Sequence, residues 1–293
     1  MKKNNTKKQY KARSRTAEIL HRLCKNKGAV ISMIIILVLI LCAIFADVLY
    51  DYNDVVIKKN IGNRLKSPSW EHPFGTDELG RDILARVVHG SRVSLLVGIL
   101  ATALGAAIGV FFGSIAGYYG GTIEDIIMRV ADVFMSIPST LLAVVVVAAL
   151  GSGMANLIIA IGISCVPRFV RVARAAVMST RNKEYIEAER AIGGRDLSII
   201  LKTALPNSLS TIFVQATLNI ATSIISVSAL SFIGLGVPAP KPEWGSMLSA
   251  GRKYLRDYSY ITLFPGLAIM LTILSFNMLG DGLRDAMDPK LKR

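Results

Sequence analysis

Cysteine is scarce in this chain: Cys24, Cys42 and Cys165 stand singly among 293 residues, and no disulfide framework is expected. The latter two lie in apolar runs, where a lone thiol packs as a small hydrophobe. The three histidines, His21, His72 and His89, form neither an HExxH pair nor a close cluster. No nucleophile, base and orienter occur together in the apolar runs, so neither a metal centre nor catalysis is expected of this chain. A GxxxxGK(S/T) phosphate loop is missing as well, which excludes ATP use by the P-loop route. Acidic residues are outnumbered, 20 against 34 Lys and Arg. A surplus of that size is compatible with nucleic-acid binding, but the charges sit between apolar blocks instead of on amphipathic faces, the pattern of membrane orientation.

What is present is apolar sequence in long blocks, 52% of the chain by composition. A bilayer core takes about 20 apolar residues per helix, and six helices follow when over-long runs are divided at turn residues. The first is Ala29 to Ala46 and the second lies within the charge-free run Val93 to Tyr119. Thirty-five uncharged residues from Val133 to Pro167 are too many for one helix, and Gly151, Ser152 and Gly153 supply a break between the third and fourth. The third must start before Asp132 and the fourth must run past Arg168, with these charges snorkelling to an interface. The fifth span is expected over Ser208 to about Leu235 and the sixth over Tyr258 to Gly280. Arg129 and Asp132 are spaced to pair with each other along the third helix.

Charge asymmetry sets the orientation. Residues 1 to 27 carry ten Lys and Arg against Glu18 alone, and Arg168 to Lys202 holds eight basic residues against four acidic ones. Asp47 to Arg92 has seven of each. Basic segments face the cytoplasm, so both termini and the segment between the fourth and fifth spans are expected there. The basic stretch before the first span is too long for a cleaved secretory signal, and more spans follow. The chain thus divides into a basic tail (1–27), a first span with an extracytoplasmic loop (28–92), a five-helix core (93–280) with a charged cytoplasmic loop (173–207), and a C-terminal tail (281–293).

Three patterns stand out within this frame. Gly105, Gly109, Gly113 and Gly117 recur every four residues in phase with Ala101, which leaves one helix face bare for close packing. In His72 to Leu95, Thr76 or Asp77 is a possible helix cap, and Leu79, Ile83 and Val87 then predict an interfacial amphipathic helix, a packing element or a contact surface. On the fifth span Gln215, Asn219, Thr222 and Ser226 share one polar, uncharged face, suited either to line a path or to hold helices together.

The loop sequence YIEAERAIGGRDLSIILKTALPN, Tyr185 to Asn207, reads as a helix to Ile192, a break at Gly193-Gly194, and a second short helix with an apolar face of Leu197, Ile200 and Leu201 before Pro206 redirects the chain. Its order Glu187, Ala188, Gly193, Leu205, Pro206 resembles the EAA loop of ABC importer permeases. GTDELGRD (Gly75 to Asp82), LSFIGLGVPAPKPEWGSML (Leu230 to Leu248) and FNMLGDGLRDAMDPKLK (Phe276 to Lys292) widen the resemblance to the peptide and nickel importer permeases, over roughly residues 28 to 293. Two positions depart from the pattern: Glu189 replaces the second Ala of the triplet, and Thr203 replaces the Ile before Leu-Pro.

The resemblance implies an all-α polytopic permease of the type I ABC importer fold. Its expected partners are a homologous permease, two ATP-binding subunits holding ATP and Mg, an extracytoplasmic solute-binding protein and membrane lipid, with no nucleic acid and no cofactor in this chain. Glu187, Ala188, Gly193, Gly194, Leu205 and Pro206 would make the ATPase contact. The implied solute is a di- or oligopeptide, with nickel or a metal chelate as the alternative. A self-sufficient channel or secondary transporter would need charge at mid-membrane depth, and a non-transporting scaffold would not need the glycine elbow.

Overall fold

The computed structural model describes residues 15–287, so residues 1–14 of the basic tail and 288–293 of the C-terminal tail lie outside the described residues. Helix α1 (Arg15–Lys25) is joined to α2 (Lys27–Ile44) by Asn26 alone, whose side chain accepts the Ala29 N–H and caps the longer helix. A short α3 (Ala46–Leu49), a π turn (Tyr52–Ile57) and a 3-10 turn (Ile61–Asn63) lead to α4 (Ile83–Tyr119). Then come α5 (Gly121–Met135), α6 (Ser139–Leu150), α7 (Met154–Met178), α8 (Glu184–Ala191), α9 (Asp196–Ile199), α10 (Leu205–Phe232), α11 (Trp244–Gly251) and α12 (Tyr260–Met287). No strand occurs among the described residues, and the fold is all-α.

Helices α2, α4, α7, α12 and the continuous run α9–α10 are each long and apolar enough to cross a bilayer. Helices α5 and α6, bent by 83° to each other, pass the same test together and make a sixth candidate crossing when the pair is counted as one span. The bend falls at Ser136-Ile137-Pro138: Pro138 cannot donate to the turn before it, and the Ser136 hydroxyl turns back to the Val133 carbonyl at 2.7 Å. The third helix, expected to start before Asp132 and run to the break at Gly151, is therefore interrupted at this bend. The expected Arg129–Asp132 pair is also corrected. Asp132 accepts instead from Arg171 of α7 at 2.6 Å, and Glu124 pairs with Arg174, so two ion pairs tie α5 to α7.

Helix α4 has 37 residues, about 55 Å at 1.5 Å per residue, well beyond a hydrocarbon core of about 30 Å. It therefore projects from the membrane at its ends, and the boundary expected at residues 92/93 falls inside one unbroken helix. The predicted amphipathic helix from Thr76 does not form. Asp77 Oδ1 accepts the N–H groups of Leu79 and Arg81 at 2.9 Å, and Gly75 and Gly80 take positive φ of 76° and 72°. GTDELGRD is thus a compact turn, and a Cβ on Gly80 would collide with the Asn60 carbonyl. The helix begins only when Asp82 caps it through the Ala85 N–H.

The core of the bundle is the seam between α4 and α7. A Cβ on Gly105 would stand 2.7 Å from the Gly162 carbonyl oxygen, and one on Gly117 would stand 2.5 Å from that of Arg174. Gly109 and Gly113 meet Phe169 and Val170 at similarly close range. Only bare backbone permits this approach, which replaces solvent or lipid by dispersion contacts along more than three turns. Val97, Ala101, Val147, Leu157, Ile161 and Val227 extend the apolar core to α6 and α10.

Candidate functional site

The segment that follows α7 forms two arms. Ile186 of α8 is fully buried with Tyr118, Val177, Ile199, Ile200 and Ala204, an apolar anchor that seats the arms on the ends of α4 and α7. Above it the Tyr118 hydroxyl donates to Asp196 Oδ1 at 2.8 Å and accepts from Arg190 at 3.1 Å. The Arg190 guanidinium also lies 5.4 Å from the Tyr118 ring centroid, within cation–π range. One tyrosine thus ties both arms to α4. Tyr118 gives no local signal for this role in the sequence, because its partners are more than 70 residues away.

Glu187 and Ala188 are exposed on α8, and Gly193 turns the chain at φ 82° with open space around it. Gly194 is packed more tightly: a Cβ there would stand 2.7 Å from the Glu189 carbonyl oxygen. The apolar face expected of Leu197, Ile200 and Leu201 is split. Ile200 and its neighbour Ile199 point inward, whereas Leu197 and Leu201 are exposed, as is Ile192 at 85%. From Ile200 onward the π turn Ile200–Ala204 widens the spiral and moves the side chains that follow round the axis.

Pro206 does not redirect the chain, a second correction in this segment. It occupies the first turn of α10, and Leu205 N–H bonds to the Ile200 carbonyl five residues back. A proline has no N–H for the carbonyl four residues before it, and the wide turn accommodates the ring without breaking the helix. The run Asp196–Phe232 is consequently one continuous element from the surface arms into the membrane.

On α10 the polar stripe divides. Asn219 is 1% exposed and faces the bundle. Its Nδ2 reaches Cys165 Sγ at 3.1 Å and the hydroxyls of Thr102 and Ser223 at 3.4 Å, while its Oδ1 accepts from Arg168 at 3.3 Å. That junction joins α4, α7 and α10, and places Asn219 at an interhelical attachment, one of the two roles expected of this face. Thr222 is exposed, whereas Gln215 and Ser226 are half-buried at the edge of the same face. At the far end of the bundle, Glu243 is wholly buried and caps α11, accepting from Gly245 and Ser246 N–H at 2.8 Å and Ser94 Oγ at 3.2 Å. Burial pushes its carboxyl up from the usual range, and the Gly245 N–H works against that shift.

Residues 109–293 match the family described as the binding-protein-dependent transport system inner membrane component, and residues 14–68 match the N-terminal TM domain of oligopeptide transport permease C. The chain belongs to this permease family. The dipeptide transport system permease protein DppC of Alkalihalophilus pseudofirmus is 48% identical over 97% of this chain and 93% of the relative. The glutathione transport system permease protein GsiD of Escherichia coli is 44% identical over 94% of this chain and 90% of its own length. A Pseudomonas aeruginosa di/tripeptide transport system permease protein, also named DppC, is 41% identical over 94% and 92%. Among solved structures, an inward-facing MetNI methionine ABC transporter superposes with a TM-score of 0.59 at 19% identity, covering 70% of this chain and 98% of its counterpart. That likeness establishes the fold, a type I ABC importer permease. The permease is thus a multi-pass membrane subunit of an ABC transporter.

Proposed function

We propose that this permease forms half of an inward path for di- and oligopeptides, driven by ATPase subunits that dock on its two-armed loop. The observation that carries this reading is the loop itself. Exposed Ile192, Leu197 and Leu201 flank the Gly193 turn, while Ile186, Tyr118 and Asp196 fix the arms to the transmembrane helices. A loop with exposed apolar side chains, anchored beneath by buried ones, suits a groove on a soluble partner and passes rigid-body motion to α10. Glu187, Ala188, Gly193 and Gly194 belong to the contact; Leu205 and Pro206 carry the motion into the span.

The substrate assignment rests on the relatives, whose names specify dipeptides, di/tripeptides and glutathione, itself a tripeptide. Gln215, Thr222 and Ser226 would offer hydrogen bonds to peptide backbone without charge. The basic loop and tails would face the cytoplasm of a cell membrane. ATP and Mg would be held by two ATP-binding subunits, with a second homologous permease and an external binding protein completing the assembly, and no catalysis falls to this chain. Uptake of labelled dialanine by the whole complex tests this. Gly193→Val places a β-branched residue at φ 82°, costs about 1–3 kcal/mol locally, and should abolish ATP-dependent uptake while the protein still reaches the membrane. Undiminished uptake would refute the coupling assignment, and transport of nickel chelates but no peptide would refute the substrate class.

A further inference from the structure

Glu189 lies in the last turn of α8 and Thr203 in the π turn leading to α10, yet the Thr203 hydroxyl donates to Glu189 Oε2 at 2.5 Å. Both residues are half-buried. The two positions at which the loop departs from the Ala and Ile pattern are therefore bonded partners. Glu189 holds the return arm through its backbone as well, since its carbonyl accepts the Gly194 N–H at 3.0 Å. Between these contacts stands Gly193, with nothing within 4 Å of where its Cβ would be. Unbraced, a glycine with positive φ and no neighbours is a soft joint.

We propose that Glu189 and Thr203 form a clasp that fixes the angle between the two arms, so that displacement of α8 is delivered to α10 instead of being absorbed by bending at Gly193. The proposal rests on the coupling-loop reading. It makes Glu189 and Thr203 positioning residues: they act on the stiffness of the lever and touch no solute. The Tyr118 brace ties each arm to α4, but among the described residues this clasp is the one hydrogen bond that joins α8 directly to the turn entering α10. The Ile186 cluster and Tyr118 seat both arms on α4 and α7 from beneath, and the clasp adds the direct polar link between the arms across the Gly193 turn.

The test compares Thr203→Val, which keeps the shape and removes the hydroxyl, with Thr203→Ser, which keeps the hydroxyl, together with Glu189→Ala and the double variant Glu189→Ala/Thr203→Val. In the complete complex in nanodiscs, ATP hydrolysis is measured with and without the binding protein loaded with dialanine. Thr203→Val and Glu189→Ala should each lower the stimulation at least threefold with the ATPase subunits retained; Thr203→Ser should preserve it, and the double variant should be no worse than either single one. A solute-independent measurement places spin labels at Ile192→Cys and Leu201→Cys, both exposed positions. Their distance distribution should broaden in Thr203→Val and stay narrow in Thr203→Ser. Wild-type stimulation in Thr203→Val, independent losses in the double variant, or an unbroadened distribution would each overturn the clasp. If Gly193→Val uncouples the complex while Thr203→Val does not, the clasp alone fails; if neither uncouples it, the coupling-loop reading fails with it.

Discussion

Single side chains decide how the ends of this bundle are closed. Glu243 is the clearest case, because it is wholly buried, has its oxygens taken by two backbone N–H groups and a serine, and adjoins Trp244, whose indole N–H donates to the Val87 carbonyl at 2.9 Å. Glu243→Ala removes the cap of α11 and leaves buried donors unpaired. A loss of about 1–3 kcal/mol is expected, visible as a lower midpoint of thermal unfolding for the purified protein. Asn219 is the equivalent in mid-bundle. Asn219→Leu strips partners from Arg168, Thr102 and Ser223, at roughly 0.6–2 kcal/mol for each hydrogen bond removed. The detergent-purified permease should dissociate or unfold more readily, whereas Thr222→Val, at an exposed position of the same helix, should leave its stability within about 0.5 kcal/mol of wild type by the same thermal measurement.

Between elements, the α4–α7 seam carries the largest demand on sequence. Glycine at 105, 109, 113 and 117 lets backbone meet backbone, and the phase of that repeat is legible in the sequence. The partner is not, since nothing local to α4 designates α7 as the helix that comes close. Gly113→Leu would drive a side chain into the Val170 carbonyl and Ala173. Overpacking of this kind costs about 1–3 kcal/mol or more, and yield in the membrane fraction should fall sharply; Gly113→Ala should fall between. The bend between α5 and α6 has a sign in Pro138, but a proline marks only where a helix can break and not by how much. The bend is 83°, and α5 finds Arg171 and Arg174 on α7 for its Asp132 and Glu124.

At the scale of the molecule, a count of six crossings, with α5 and α6 taken as one, and the charge asymmetry make one statement about sidedness. Asn53, in the π turn before α4, and Lys183, before α8, are both exposed and lie at opposite ends of the bundle. Cysteines placed at these two positions in a variant lacking Cys24, Cys42 and Cys165 should label from opposite faces, Asn53→Cys from outside intact cells and Lys183→Cys only after permeabilisation. Labelling of both from one side would overturn the arrangement of six crossings.

Hydrophobic block length, loop charge and the glycine period are local quantities, and from them the sequence alone determined an all-α membrane bundle and the place of its charged loop along the chain. Other features depend on hydrogen bonding and packing that no local pattern displays, and these only the tertiary structure decided. Asp77 satisfies its own turn and so delays α4 to Ile83; the π turn Ile200–Ala204 widens the spiral and carries Pro206 through without a break. Periodicity placed Asn219 on a face with Gln215, Thr222 and Ser226, but which part of that face meets another helix is fixed by Thr102 and Cys165, 117 and 54 residues away. Glu189 and Thr203 stand in the sequence as two separate departures, and they become one feature only because the fold brings a hydroxyl to a carboxylate across the Gly193 turn.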